Sequence, residues 1–471
     1  MFSMKSLATI LFFVISGSVA DLAGVVPGNL VSTVACEAEP QYSYALYLPS
    51  NYDPDRSWPL ILAYDPSGVG SRPVEGLRAA ADRYGYIVAG SNDSRNYTSW
   101  EFKLAAAGAV WRDVAGRFSI DPRRVYTTGF SGGARMATEV ALKTQAVAGV
   151  LAVGGSFRAR ETIDGPIPFV LLGVSGTRDM NHREMQQAHA KLLEREHPTR
   201  HLIFNGPHQW PPEDTFTAAV EWFEVQAMRR ELRPRDPARL ATLLEQAVTI
   251  AQAHETRGAP YAALTCYEQI ARDFAGLIDL GGVPGAIDRL RGDPAVRNDR
   301  QEDQRWIRFE DRARARLATQ MRKMEAAIDD TTGRSNDLRT LRRELDGAAR
   351  DETSENGPRA AAAARLVAFV STVGFERAIV ASQNGDYARA ALFYEIALQA
   401  APDSDRLRVR LAGTYARLAR FERALETLSE AVALGFADTD RLRTDENFEA
   451  LGDDPRFAAL LAEMDERSVS P

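Results

Sequence analysis

The sequence predicts an α/β fold, a doubly wound and mostly parallel sheet, followed by an all-α region built partly from helical repeats. Three observations carry this. Between residues 42 and 228, strand-like apolar runs alternate with helix-like segments, the pattern of a parallel sheet covered on both faces. After Pro234 strand signals vanish, and Ala, Arg, Glu and Leu dominate. Near the C-terminal end, aromatic and alanine positions recur thirty-four residues apart.

In chain order, the first element is a targeting segment over 1–20. Lys5 supplies a short positive region, Leu7 to Ile15 an apolar core too short to span a bilayer, and Ser18-Val19-Ala20 a small-residue cleavage site. Cleavage after Ala20 and export, to the periplasm or the exterior, are expected; an uncleaved anchor is the alternative. An α/β domain follows over 21–233. Strands are expected at 43–48, 59–65, 86–90, 124–130, 149–154, 168–174 and 201–205. Helices are expected at 74–84, 101–117, 132–144, 182–196 and 213–230. The Pro-rich break from Glu231 to Pro237 marks a domain boundary. A helical region is expected over 234–375, with Gly333 and Ser335-Asn336 marking a turn between helices, and repeats over 376–465.

Composition narrows the function. Hydrophobic content of 45% and charged content of 26% are those of a globular protein. A net charge of −7 offers no electrostatic footprint for nucleic acid. Cys36 and Cys266 lie in different predicted domains, so no disulfide is expected. No Cys/His pair has ligand spacing, so neither a metal nor another cofactor is expected. No further run of eighteen apolar residues exists, so no membrane span is expected in the mature chain.

The chemistry concentrates at 125–133, Val-Tyr-Thr-Thr-Gly-Phe-Ser-Gly-Gly. A β-branched run ends in Gly129-Phe130-Ser131-Gly132-Gly133, and a helical segment follows, a G-x-S-x-G turn. A serine hydroxyl attacks only when it stands clear of its backbone and meets a base. A sharp turn lifts it clear, and Gly129 and Gly133 give the turn room. Gly132 can offer its N–H to a developing oxyanion. The base needs an orienting carboxylate, in the order Ser, Asp, His. The apolar run 168–174 opens into Ser175-Gly176-Thr177-Arg178-Asp179, which makes Asp179 the acid. The run 201–204 ends in Asn205-Gly206-Pro207-His208, which makes His208 the base. Of the other five histidines, His182, His189 and His197 lie in or beside a helical stretch and are expected at the surface. His201 opens a strand, and His254 falls in the later helices. Trp210, beside the base, and Asn92 to Trp100, after a strand, are expected to line the substrate pocket.

These residues, with Tyr44-Ala45-Leu46-Tyr47-Leu48-Pro49, Trp58-Pro59-Leu60-Ile61-Leu62 and Ser119 to Tyr126, carry a resemblance. Residues 42–228 resemble the α/β-hydrolase superfamily, in its polyhydroxybutyrate-depolymerase-like and feruloyl-esterase-like branch. The resemblance implies a Ser131/Asp179/His208 triad and acyl-ester chemistry. Relatives carry His-Gly after the strand preceding the first helix, where the loop gives a second oxyanion N–H. Here Asp65-Pro66 stands in that place, and proline has no N–H to donate. Ser67 is then the expected second donor. In the C-terminal part, Gly385-Asp386-Tyr387 with Ala390, Tyr394, Ala397 and Pro402, repeated at Phe421, Ala424 and Ala431, resembles tetratricopeptide repeats. A degenerate copy is expected at 261–274. The repeats imply a concave surface for a protein partner.

The expectation is therefore an exported serine hydrolase acting on a small or polymeric ester, with a helical repeat domain for protein interaction. A peptidase on the same fold is one alternative. A weak or inactive hydrolase domain serving a repeat-based scaffold is the other.

Overall fold

The computed structural model describes residues 25–158, 165–329, 331–352 and 357–469. The expected targeting segment, 1–20, lies outside the described residues. The chain divides into two compact units, Met1–Glu302 and Asp303–Pro471.

The first unit is built on one sheet. Its strands are β1 (Leu30–Ala35), β2 (Ser43–Tyr47), β3 (Trp58–Tyr64), β4 (Ile87–Ser91), β5 (Ile120–Phe130), β6 (Gly149–Val153), β7 (Val170–Gly176) and β8 (Thr199–Phe204). Their order is β1-β2-β4-β3-β5-β6-β7-β8. β2 runs antiparallel to β1 and β4, and every pair from β4 to β8 is parallel. This is the mostly parallel, doubly wound sheet that the sequence predicts. Seven strands fall where the sequence placed them. β1 was not expected: its residues LVSTVA mix apolar and hydroxyl side chains and are largely uncovered, because it pairs with β2 alone at the sheet's edge.

The central strands are continuously apolar because helices cover both faces. β3, β4, β6 and β7 are buried along their whole length. Successive residues still point to opposite faces. Leu60, Leu62 and Tyr64 pack with α2 (Trp100–Arg117), α3 (Gly132–Thr144) and α4 (His182–Glu194). Ile61 packs with α1 (Ser71–Tyr84) and α5 (Glu213–Arg229) on the other side. Parallel strands share an orientation, so the loops leaving β3, β5, β6, β7 and β8 emerge at one edge. That edge receives every residue expected in the site, Asn92 included, because β4 runs parallel to β3.

The same unit continues through α6 (Pro237–Thr256), α7 (Pro260–Phe274) and α8 (Val283–Gly292). Their apolar faces form a core with Val225 and Met228 of α5. Two buried carboxylates tie them down. Asp273 of α7 accepts from Trp222 Nε1 at 2.8 Å and from Gln226 and Gln269. Glu224 of α5 is fully buried against Tyr86 Oη at 2.6 Å, Arg239 at 3.1 Å, and the Arg124 and Arg233 guanidinium groups. Removing one partner from such a network leaves a buried charge uncompensated. The change of composition at Pro234 is thus a change of secondary structure, and the compact unit runs on to Glu302.

The second unit is helical. Within it lie the C-terminal part of α9 (Pro294–Ala326), then α10 (Thr331–Glu352), α11 (Gly357–Gln383), α12 (Tyr387–Ala400), α13 (Asp405–Arg417), α14 (Phe421–Ala433), α15 (Thr439–Thr444) and α16 (Pro455–Val469). Gly333, Ser335 and Asn336 lie inside α10, so they do not mark the expected turn. Ala390, Ala397, Ala424 and Ala431 are all fully buried. Small side chains at these positions let paired helices approach. Asp386 and Ser404 cap α12 and α13 through the Arg389 and Leu407 N–H groups. A buried ion pair, Arg365 with Glu310 at 2.6–3.0 Å, joins α11 to α9.

Candidate active site

Ser131 stands between β5 and α3 with φ 54° and ψ −116°. A side chain at such angles costs about 1–3 kcal/mol and persists only where its surroundings over-determine it. They do so here. Ser131 N donates to Val153 O at 2.8 Å, and its carbonyl accepts from Ala134 N at 3.1 Å. The flanking glycines are required by close approach. A Cβ on Gly129 would lie 2.1 Å from Gly133 O, and one on Gly133 would lie 2.0 Å from Tyr64 O. Gly132 opens α3, where a first-turn N–H has no acceptor within the helix.

Asp179 and His208 come together across the loops after β7 and β8. Asp179 Oδ1 meets His208 Nδ1 at 2.8 Å and also accepts from Asn181 N at 2.7 Å. The carboxylate is fully buried, while the imidazole keeps 16% of its surface. Asp179 Oδ2 has no hydrogen-bond partner among the described residues. A buried carboxylate on Nδ1 fixes the tautomer and turns Nε2 outward as a proton acceptor. The Phe130 ring, next to Ser131, lies 4.4 Å from the His208 ring, centroid to centroid. Ser131 and His208 share no hydrogen bond among the described residues. Catalytic hydrogen bonds are often long without substrate.

Three expected site residues sit elsewhere in the bonding scheme. The Ser67 N–H does not face the pocket as a free donor: it donates to Asp65 Oδ1 at 2.8 Å. Asp65, 1% exposed, organises the whole turn. Its Oδ1 also accepts from Val69 N at 3.3 Å, its carbonyl from Gly68 N at 3.0 Å, and its Oδ2 from Trp210 Nε1 at 2.8 Å. Trp210 is therefore a wall that pins this loop, with its ring against Phe130 and Phe216. The Asn92 amide is fully engaged: it accepts from Gly70 N at 3.0 Å and donates to Ser32 O and Ser43 Oγ at 3.2 Å. Both of its amide hydrogens are thus committed to the protein.

Other residues at this edge were given no role there by the sequence, apart from Asn96, which falls in the Asn92 to Trp100 stretch expected to line the pocket. Gly154 has φ 58°, and a Cβ there would lie 2.9 Å from Asp179 Oδ2 and 3.0 Å from His208 Cε1. Its neighbour Gly155 touches the Ser131 carbonyl in the same sense, at 2.9 Å. A Gly-Gly pair ending a strand was the available signal. The Asn96 carboxamide covers Gly132, at 1.9 Å from where a Cβ would stand. Behind Asp179, Ser175 Oγ bonds His182 Nδ1 at 2.9 Å and His201 Nε2 at 2.8 Å, and the His189 ring lies beside His201. His182 is buried, contrary to the surface position expected of it. Loss of water lowers the pKa of His189 to about 4, aided by Arg272, and that of His201 well below its usual value, aided by His182 and His189. Among the described residues no group of three or more His, Cys, Asp or Glu is arranged to hold a metal ion. No described helix is long and apolar enough to cross a membrane.

Residues 381–443 match the tetratricopeptide repeat family model. No curated protein sequence matches the chain. Among solved structures, the chain is similar to a hyperthermophilic esterase from the archaeon Pyrobaculum calidifontis. The identity is 14% over 43% of this chain and 87% of that one, with a TM-score of 0.35. It is also similar to the S-formylglutathione hydrolase FrmB of Staphylococcus aureus, with 12% identity, 41% and 97% coverage and a TM-score of 0.34. A ferulic acid esterase is similar at 13% identity, with 41% and 96% coverage and a TM-score of 0.34.

Proposed function

We propose that the protein is an exported serine hydrolase that cleaves carboxylic esters through an acyl-enzyme. The observation that carries this is the 2.8 Å Asp179–His208 pair at the sheet edge where Ser131 occupies its strained turn. Ser131 Oγ attacks the ester carbonyl carbon, and its proton passes to His208 Nε2. Asp179 holds the imidazole and stabilises the imidazolium that forms. Collapse of the tetrahedral adduct releases the alcohol, which takes the proton from His208. A water molecule then repeats the sequence on the acyl-enzyme, with His208 as base. The tetratricopeptide repeats serve to bind a protein partner, outside the chemistry.

The test is labelling of the intact chain with a fluorophosphonate, together with p-nitrophenyl acetate turnover. The parent should label and turn over. Ser131→Ala should lose both, with turnover down roughly 10⁶-fold or to background. Equal turnover in parent and variant would falsify the nucleophile assignment. A parent that neither labels nor turns over any small ester would favour the scaffold alternative.

A further inference from the structure

An acyl-transfer site needs donors aimed at the oxygen that gains charge, and one backbone N–H is rarely enough. The loop after β3 has none to give. Pro66 lacks an N–H, Ser67 and Val69 donate to Asp65 Oδ1, Gly68 donates to Asp65 O, and Gly70 donates to Asn92 Oδ1. Opening this turn to free a donor would strand a carboxylate that is 1% exposed. The second donor must come from another segment.

We infer that the Asn96 side-chain amide is that donor, a catalytic residue of the ester-hydrolysis site. This rests on the function proposed above. Asn96 lies over Gly132, the residue whose N–H is the first donor. A Cβ added to Gly132 would meet the Asn96 carboxamide at 1.9 Å (Oδ1), 2.7 Å (Cγ) and 2.9 Å (Nδ2). The amide has no hydrogen-bond partner among the described residues, unlike that of Asn92 four residues earlier. A carboxamide exchanges its oxygen and nitrogen by a half-turn about its last torsion. An unengaged one can therefore present its NH₂ to an oxyanion.

Its backbone is fixed by the loop it replaces. Asn96 N donates to Pro66 O at 2.8 Å, and Ser94 Oγ donates to Asp65 O at 2.8 Å. The Asp65-Pro66 turn, unable to donate inward, instead holds in place the segment that can. In the reaction, the carbonyl π pair moves onto oxygen as the Ser131 Oγ–C bond forms. Gly132 N–H and Asn96 Nδ2–H then donate to that oxygen, and both bonds lengthen when the carbonyl re-forms.

The test compares the parent, Asn96→Ala and Asn96→Asp as full chains. It measures kcat and KM on p-nitrophenyl acetate, melting temperature, and the Kd of phenylboronic acid, which forms a tetrahedral adduct on serine. Asn96→Ala should lower kcat by about 10²–10³-fold, the usual loss for one oxyanion donor, with KM changed little. The boronate Kd should rise alongside, and the melting temperature should hold. Asn96→Asp, nearly isosteric, should be at least as severe, because a carboxylate repels the oxyanion. Retention of parental kcat in a folded Asn96→Ala overturns the inference. So does a loss that appears in KM or melting temperature rather than in kcat. The outcomes separate from those of the underlying function. If Ser131→Ala is dead and Asn96→Ala is fully active, only the donor assignment falls. If the parent is inert towards ester and fluorophosphonate, the hydrolase reading falls first.

Discussion

Asp65 and Asp179 are both buried carboxylates just beyond the carboxyl end of a sheet strand, β3 in one case and β7 in the other. Their surroundings make opposite uses of them. Asp65 has both oxygens engaged by the protein, two backbone N–H groups on one and the Trp210 indole on the other. Asp179 shares Oδ1 between Asn181 N–H and the His208 ring, and leaves Oδ2 without a partner among the described residues. A carboxylate saturated by fixed donors is a structural joint. One facing an imidazole can respond to a proton arriving on that ring. Burial and position alone do not separate the two roles; the kind of donor does.

The contrast is broken or sharpened by four experiments. Asp179→Asn should have the largest effect. It keeps the shape but removes the charge and invites the wrong imidazole tautomer, so kcat should fall by about 10⁴-fold while the fold survives. A loss under tenfold would show that Asp179 is a joint like Asp65. Gly154→Ala comes next. The new methyl group must displace Asp179 Oδ2 or the His208 ring from a position at φ 58°, and a misplacement of that kind costs roughly 10²-fold in kcat. Unchanged kinetics with a crystal structure showing the pair undisturbed would refute the wedge.

Asp65→Ala should act on stability first. Two N–H groups and an indole lose their acceptor, for about 1–3 kcal/mol measured by urea unfolding. Residual turnover of the folded protein should remain well above that of Asp179→Asn. Equal kcat losses in the two variants would erase the distinction.

The smallest effect is on pH dependence, through the histidines behind the Asp179 loop. His189 and His201 have folded pKa values below the unfolded value of about 6.5. Above that pH both states are neutral and nothing is lost. As pH falls, the unfolded chain binds protons that the folded one refuses. Stability should therefore decline as pH falls below about 6.5, down to about pH 4 for His189, with His201 acting in the same direction. The slope is at most about 1.4 kcal/mol per pH unit for each group. Thermal melts across pH 4–7 check the sign, and melts that improve on acidification would contradict it.

The legibility of this chain follows the range of the interactions involved. The parallel strands, the helices around them, the serine turn and the Ser–Asp–His order were readable because each depends on local periodicity or on glycine where backbones must touch. The repeat was readable because Tyr387, Ala390 and Ala397 recur at Phe421, Ala424 and Ala431. β1 was missed because its partly uncovered edge has no strong alternation. Ser67 was misassigned as a donor because the sequence shows which residues own an N–H, not where it points. His182 was misplaced at the surface for a similar reason. Its helix reads as polar, and only the fold sets it against Ser175, which the register of β7 against β8 also brings to His201.

By itself, the sequence determined the fold class, the Ser131 turn and which residues stand as acid and base candidates. These are consequences of near-neighbour sterics and of apolar patterning, which every stretch of chain carries with it. Tertiary structure alone decided which N–H groups remain available, which carboxylate is a joint, and that Asn96 covers Gly132. It also decided that α6–α8 belong with the sheet: Glu224 and Asp273 are unremarked acids in the sequence and become buried anchors only once α5, α7 and the Arg233–Arg239 segment converge on them. The physical reason is that hydrogen bonds and ion pairs across loops depend on distances no local pattern encodes. They are fixed when the sheet aligns its strand ends and presses those loops together.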